Sequence, residues 1–104
     1  MAQFDVYPNP NSDTAEQVPY LLDVQADLLD IMSTRIVIPL YTPQAIPKPI
    51  RHLNPLASIN GDRFVCSTAE LAGIPVSMLH HPITNLAENR DEIIAALDFI
   101  YTGI

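Results

Sequence analysis

The residues of this sequence that could support nucleophilic chemistry are few. Cys66 is the single cysteine, and the histidines that could act as its base are His52, His80 and His81. Their spacing gives no support for such a pair, and a cysteine in a predicted strand with Phe64 is typical of a small buried side chain. These residues therefore give little support to nucleophilic catalysis.

Metal and phosphate sites have equally little support. His80 and His81 are neighbours at the end of a predicted strand, so their side chains point to opposite faces and cannot hold one ion together. Asp23, Asp27 and Asp30 lack the other ligands and the spacing of a calcium loop, and we predict turn and strand-edge roles for them. The three glycines are too scattered to form a phosphate loop. We predict no metal and no cofactor.

The charge balance of the chain favours a basic protein partner. Lys and Arg together number 5 against 12 Asp and Glu, which gives a net charge of −7. Such a chain repels phosphate backbones and anionic lipid, so we expect no direct nucleic-acid or membrane binding. The N-terminus lacks a signal-peptide pattern, no apolar run is long enough to span a bilayer, and a lone cysteine fits a reducing compartment. We expect a cytoplasmic protein.

The segment from Asn85 to Ile104 has the strongest helical period in the chain. Asn85 and Glu88 form a capping-box pattern at its start, and Gly103 is the predicted left-handed residue at its end. The apolar face that should pack on a sheet consists of Leu86, Ile93, Ile94, Leu97, Ile100 and Tyr101. The opposite face carries Asp91, Ala95, Asp98 and Thr102, with Phe99 beside it and off the core face.

The rest of the chain predicts short strands and loops. Residues 56–59 and 62–66 should form a hairpin, because Asn60-Gly61 supplies the two positive φ angles of a type I′ turn. Residues 34–40 are the most β-branched run and predict a central strand, with Pro39 at its end or at a bulge. Further strands are predicted at residues 4–7, 20–24 and 75–79. Residues 68–72 are predicted to form a helical turn or more strand. Residues 41–55 contain four prolines and are predicted to form a stiff connector. Residues 1–104 therefore predict one domain, a small curled sheet or barrel with one helix packed on it.

Two segments resemble those of a known family. Residues 22–30, L-D-V-Q-A-D-L-L-D, and residues 35–40, R-I-V-I-P-L, are similar to the F-V-D-V-Q-S-D-I-I-D and R-x-V-I-P-L segments of the CcdB toxin family. Residues 3–7, residues 74–77 and the ending Gly103-Ile104 also match, so the resemblance covers essentially the whole chain. It implies an α+β, mostly β fold, in which an SH3-like barrel carries an added small β-sheet and a C-terminal α-helix, assembled as a homodimer.

The resemblance also implies a function. CcdB proteins bind the A subunit of DNA gyrase, hold the enzyme on its cleaved DNA, and are neutralised by the antitoxin CcdA through its disordered C-terminal part. The expected activity is therefore that of a non-catalytic toxin of a type II toxin–antitoxin system. Its expected partners are a CcdA-like antitoxin and the A subunit of DNA gyrase.

The gyrase contacts implied by the resemblance lie after the D-V-Q-x-D segment and at the end of the helix. They are Leu28, Leu29, Asp98, Thr102, Gly103 and Ile104. The best-known family member has Asn where Asp98 stands and Trp where Thr102 stands, which changes the expected distribution of the binding energy because large aromatic residues often anchor interfaces. The alternatives are an ordinary solvated helix face for Asp98 and Thr102, and core packing for one of Leu28 and Leu29.

Two further surfaces are expected. The long polar loop at residues 9–19 should take part in antitoxin binding, because a flexible basic segment can fold over an acidic, proline-bounded surface. The loop residues assigned to this role are Asn9, Asn11, Ser12, Asp13 and Thr14. Phe99 is assigned to the dimer interface, because a small domain with an aromatic residue off its core stripe gains from a second copy.

Two rival functions compete with this one. The same fold resembles that of the MazF and Kid toxins, which are endoribonucleases and would need cationic groups around the phosphorane. The basic residues are scattered over different elements, and they are Arg35, Lys48, Arg51, Arg63 and Arg90. A non-toxic homologue that titrates antitoxin is the other alternative, and the sequence leaves it open.

Overall fold

The computed structural model describes residues 1–103. Within them the elements are β1 (Asp5–Pro8), β2 (Tyr20–Asp23), β3 (Thr34–Tyr41), β4 (Leu56–Ile59), β5 (Asp62–Cys66), β6 (Ala72–Pro75), β7 (Thr84–Asn85) and α1 (Arg90–Thr102). Short 3₁₀ turns lie at Asp27–Leu29, Thr68–Glu70, Val76–Met78 and Ala87–Asn89. The antiparallel strands follow the order β4-β5-β3-β2-β1-β7, with β6 also paired to β3, in a nearly closed, barrel-like sheet. This confirms the predicted α+β, mostly β class with a C-terminal helix.

Strand β3 is the centre of the sheet, as predicted. One edge pairs with β2, and the other pairs with β6 over residues 34–37 and with β5 at residues 40 and 41. Pro39 lies inside β3 at the point where this second neighbour changes, and its carbonyl accepts a hydrogen bond from the Ser67 N–H at 3.0 Å. A proline is tolerated there because its missing N–H faces the gap between two partner strands.

Alternate residues of the strands belong to two hydrophobic clusters on opposite faces of the sheet. The larger cluster receives Val6, Leu22 and Ile38 from β1, β2 and β3, together with Ile93 of α1. The smaller cluster receives the neighbouring residues Tyr7, Leu21 and Val37, together with Val18 and Leu79. Each central strand is therefore covered on both sides, on one side by the helix and on the other by the loops.

The local turn signals gave correct predictions at two places. Asn60 and Gly61 have φ angles of 52° and 85°, as the β4–β5 hairpin requires. Gly103 has a φ of 70°, and its N–H donates to the Phe99 carbonyl at 2.8 Å, so it ends the helix in the left-handed conformation. The strand predicted at residues 75–79 is wrong, because Pro75 ends β6 and residues 76–78 form a 3₁₀ turn.

The start and the buried face of the C-terminal helix differ from the prediction. Asn85 belongs to β7, where its Oδ1 atom accepts the Ala87 N–H at 2.8 Å, and α1 begins only at Arg90, so the capping box with Glu88 is wrong. Ile93 and Ala96 are the buried residues of α1, whereas Tyr101 is 80% exposed. At 100° per residue around the helix axis, Tyr101 points roughly 110° away from the direction midway between Ile93 and Ala96. It therefore lies on the flank of the helix.

Candidate functional site

The first group of predicted gyrase contacts lies on an exposed turn between β2 and β3. Leu28 and Leu29 belong to the 3₁₀ turn Asp27–Leu29, and they are 93% and 45% exposed. Successive residues of such a turn do not alternate between two faces as strand residues do, and neither leucine packs in the core. The core-packing alternative for one of this pair is therefore wrong.

Two further apolar side chains extend this surface. Ile31 is 97% exposed and Met32 is 47% exposed, and both follow the same turn. We call residues 27–32 the apolar loop. Sequence reasoning missed Ile31 and Met32 because their residue types normally indicate burial, although their position between Asp30 and the polar start of β3 was a signal of a turn. A group of exposed aliphatic side chains on one short segment is typical of an interaction site.

The apolar loop rests on a buried ion pair between β2 and β3. The Nε atom of Arg35 donates to Oδ2 of Asp23 at 2.7 Å, and both side chains are fully buried. The Nη1 atom of Arg35 donates to Oδ1 of Asp30 at 2.9 Å at the base of the loop. The strand-edge role predicted for Asp23 is wrong, because its side chain lies inside the fold.

Burial shifts the pKa values of this pair. Desolvation raises the pKa of the Asp23 carboxyl above its ordinary value, although hydrogen bonds from Arg35 and from the Gln25 N–H oppose the shift. Desolvation lowers the pKa of Arg35, but the hydrogen bond and the charge of Asp23 outweigh it and raise that pKa overall. Arg35 therefore stays charged, with its Nε and Nη1 atoms bonded to Asp23 and Asp30.

The second group of predicted gyrase contacts lies at the end of α1. Asp98 and Thr102 are exposed on one face, as predicted, and the Thr102 hydroxyl donates to the Asp98 carbonyl at 2.9 Å. Gly103 follows them at the exposed left-handed cap, and Ile104 lies outside the described residues. Tyr101 adds an exposed aromatic ring beside Thr102, which sequence reasoning missed because it assigned Tyr101 to the core face.

The residues predicted to bind the antitoxin lie on a loop that is ordered by its own side chains. The Asn9 amide donates to the Val18 carbonyl at 2.8 Å and to the Thr14 hydroxyl at 3.0 Å. The N–H of Asn11 donates to the Asn9 side chain, and the N–H of Asp13 donates to the Asn11 side chain. This leaves Ser12 and Asp13 exposed at the tip of the loop.

A groove of about 360 Å³ separates this loop from the sheet. Asn9, Asn11 and Thr14 line its loop side. Val37, Ile74 and Met78 are among the residues that line the other side, and Tyr41 and Glu70 add polar groups there. A peptide that carries both apolar and polar side chains would match this lining.

The other residues singled out in the sequence have structural positions. Phe99 is half-buried on the flank of α1. Cys66 is buried, and burial, followed by the nearby charge of Glu92, raises the pKa of its thiol to about 12, so it is not placed as a nucleophile. His80 and His81 are exposed in a connection and do not end a strand as predicted.

Residues 1–103 lack two features, a cluster of metal-ligand side chains and a membrane-spanning helix. Nowhere in that range do three or more His, Cys, Asp or Glu side chains come together so that they could hold a metal ion. Over the same residues, no helix has the length and the apolar character needed to cross a bilayer.

Comparison with known families identifies the chain. Residues 3–103 match the family model described as CcdB protein. The match includes the apolar loop, the residue 9–19 loop and the whole of α1. On this match over nearly the full length, the chain belongs to the CcdB protein family.

Proposed function

We propose that this protein is the toxin of a type II toxin–antitoxin system, and that it binds the A subunit of DNA gyrase and traps the complex of gyrase with cleaved DNA. CcdB proteins as a family are gyrase poisons of such systems. The observation that carries the proposal is the apolar loop, which exposes Leu28 and Leu29 in the segment where the family resemblance puts gyrase contacts. The toxin acts by binding and needs no catalytic residue.

The proposed gyrase surface combines the apolar loop with the end of α1. Leu28 and Leu29 supply aliphatic anchors, and Asp98, Thr102, Gly103 and Ile104 supply the second part. Tyr101 is 80% exposed next to Thr102, so an aromatic ring is present at this end of the helix although Thr102 itself is small. Asp27 and Asp98 are exposed, one in each part of the proposed surface, and each would suit a Lys or Arg of the partner.

The protein is proposed to act as a homodimer. Phe99 lies on the flank of α1 and is only half-buried, so a second copy would remove more of its ring from water. An interface of twofold symmetry would bring two helix ends together and present the same tip twice to two copies of the gyrase A subunit. Because gyrase works on the DNA inside the bacterial cell, the proposed location is the cytoplasm.

The proposed antitoxin surface is the groove beside the residue 9–19 loop. Its lining of polar and apolar side chains suits a segment of a CcdA-like antitoxin, and Asp13 at the exposed tip suits a basic residue of that segment. The net charge of −7 adds a long-range attraction for a basic partner. A flexible segment that becomes ordered on binding is also readily removed by proteolysis, as an antitoxin must be.

A plasmid cleavage assay tests the function. Supercoiled plasmid is incubated with purified gyrase, ATP and this protein, then treated with detergent and protease before electrophoresis. Linear DNA that appears only with all components present is the expected result. An absence of linear DNA at saturating protein would contradict the proposal, and antitoxin binding in that case would favour the non-toxic homologue.

The endoribonuclease alternative gains nothing from the site geometry. Arg35, one of the few cations that could bind a phosphate, is buried and paired with Asp23 and Asp30. Incubation with a mixed-sequence RNA is the direct test, and cleavage by the purified protein would overturn the non-catalytic proposal.

A further inference from the structure

Arg35 connects the interior of the sheet to the apolar loop. Its side chain is fully buried, and one guanidinium contacts two carboxylates, Asp23 within β2 and Asp30 in the loop. The Asp30 side chain is 56% exposed, so this contact reaches from the core to the protein surface. A lysine could not make the same contacts, because it has a point charge and lacks the fork of separate N–H donors.

Other buried or backbone contacts hold the same loop. Gln25 is buried, and its side chain donates to the Leu29 carbonyl at 2.9 Å and accepts the Ile36 N–H at 3.2 Å. Asp27 accepts the N–H of Gln3 at 2.8 Å, which ties the start of the loop to the N-terminal segment. The loop is therefore held at its start, at its middle and at Asp30.

Folding stability alone does not explain why the protein has this buried ion pair and this exposed apolar loop. A buried ion pair often contributes no more to stability than well-packed apolar residues of similar size. The loop also exposes Leu28 and Ile31 almost completely, and an unrestrained loop would gain by folding such side chains against the protein. With Asp30 held inward by Arg35, that collapse is opposed.

We infer that Arg35 is a positioning residue which, through Asp30, holds the apolar loop in the shape that presents Leu28 and Ile31 to gyrase. The inference rests on the proposed gyrase function. A loop that is already in its binding shape loses less conformational entropy on association, so the contribution of Arg35 should appear as affinity.

The test uses Asp30→Ala, which removes the loop half of the contact and leaves the buried Arg35–Asp23 pair intact. Its matched control is Asp62→Ala, which removes the same charge at the β4–β5 turn. We expect Asp30→Ala to lower the affinity for the A subunit of gyrase about tenfold. Because a charge-assisted hydrogen bond to a buried guanidinium is lost, the Tm should fall by about 6–12 °C, so affinity is measured well below the Tm of the variant. Asp62→Ala should leave the affinity unchanged.

A second pair of variants separates positioning from direct contact. Arg35→Lys keeps the positive charge but not both hydrogen bonds, and we expect it to lower gyrase affinity as Asp30→Ala does. In a Leu28→Ala background, Asp30→Ala should cause little further loss, since it acts through the placement of the apolar side chains. Full additivity of the two losses would mean that Asp30 contacts gyrase itself, which would overturn the inference.

Amide hydrogen exchange provides a readout that does not depend on gyrase. The N–H of Leu29 donates to the Ala26 carbonyl at 2.9 Å, and the N–H of Met32 donates to the Leu29 carbonyl at 3.1 Å. In Asp30→Ala these two amides should exchange about tenfold faster, whereas amides of β3 should not change. Unchanged exchange at both amides would overturn the positioning role. If the wild-type protein fails to bind gyrase, the proposed function is wrong, and the exchange result alone decides whether Arg35 orders the loop.

Discussion

Leu28 and Leu29 are consecutive residues of one 3₁₀ turn, and both project outward from the apolar loop. On a strand such neighbours would point to opposite faces, and one of them would enter the core. The turn instead leaves both aliphatic side chains exposed, and Ile31 and Met32 of the same loop are exposed as well. This surface is preformed in the single chain.

Leu28→Ser should separate binding from stability. Its side chain is 93% exposed, so the free energy of unfolding should change by no more than about 0.5 kcal/mol. Gyrase affinity should fall by about 2 kcal/mol, because an interface anchor is lost. Thermal denaturation and titration calorimetry with the A subunit of gyrase measure the two effects. Ile50→Ser, an exposed aliphatic residue of the proline-rich connector, is the control and should affect neither.

Sequence reasoning succeeded where short-range signals determine the structure. The Asn60-Gly61 turn, the β-branched run of β3 and the Gly103 cap depend on residues a few positions apart, and all three predictions are confirmed. The Arg35–Asp23 pair could not be predicted in this way. Its partners are 12 positions apart and meet only because β2 and β3 pair in one particular register.

The candidate site was predicted in part for a similar reason. Family resemblance pointed to Leu28, Leu29 and the helix end as expected gyrase contacts, but it gave no geometry for the turn. An apolar helix face is wide enough that the sequence pattern could include Tyr101 in it. The structure shows that the buried face is centred on Ile93 and Ala96, which leaves Tyr101 exposed. The exposure of Ile31 depends on the conformation of the whole loop and on the buried residues Gln25 and Arg35 that hold it, so no short sequence pattern predicts it.

Asp13→Lys should weaken antitoxin binding selectively. The residue is exposed at the tip of the residue 9–19 loop, so its charge acts mainly on association and in a salt-dependent way. We expect the antitoxin to bind about tenfold more weakly at low salt, with gyrase affinity unchanged. Asp62→Lys introduces the same charge change at the β4–β5 turn and is the control. Surface plasmon resonance gives both rates, and equal losses for the two partners would contradict the assignment.

A substitution is preferable to a deletion in this loop. Deleting residues 12–17 would remove the Thr14 carbonyl that accepts the Val18 N–H, and the Gln17 carbonyl that accepts the Thr42 N–H. The deletion would therefore also loosen the connection to β2. A single charge reversal at Asp13 changes the electrostatics and keeps these hydrogen bonds.

Phe99→Glu should convert the dimer to a monomer. The ring is half-buried on the flank of α1, and a carboxylate in an apolar interface would lose its hydration without gaining a partner. Sedimentation equilibrium at micromolar concentration should show dimers of the wild type and monomers of the variant. Gln44→Glu adds one negative charge on the exposed proline-rich connector, away from α1, and should remain dimeric. A monomeric wild type would contradict the homodimer proposal.

The buried Cys66 predicts a loss of stability in alkali. Burial raises the pKa of its thiol from 9.0 to about 12, so the fold favours the neutral form. This contribution to stability is complete below pH 9 and is lost as the pH rises through the range up to about 12. Urea denaturation of Cys66→Ala should depend less on pH in that range than the wild type does. Tyr7, whose pKa burial raises from 10.0 to about 12, should leave a residual dependence.

Alkylation of the thiol provides the check on this interpretation. At pH 8 iodoacetamide should react with Cys66 only at the rate at which the protein unfolds, because the folded thiol is buried and neutral. Rapid labelling of the native protein would show that the thiol is accessible, and the alkaline dependence would then need another cause.

Removal of Gly103 and Ile104 should abolish gyrase poisoning and preserve the folded protein. In the described part of the tip, the Gly103 N–H donates to the Phe99 carbonyl, and the buried contacts of α1 come from Ile93 and Ala96 further back. Loss of one exposed capping hydrogen bond costs about 1 kcal/mol, or about 4 °C in Tm.

The same truncation removes two of the proposed gyrase contacts, and loss of an interface anchor costs about 2 kcal/mol or more. The expected result is a dimer that melts near the wild-type temperature, binds antitoxin and yields no linear plasmid with gyrase and ATP. Ile104→Ala, which keeps the chain length and the Gly103 cap, should reduce cleavage in the same direction. A truncated protein that unfolds would show that the tip is structural, whereas a folded one that still traps cleaved DNA would show that the gyrase contacts lie elsewhere.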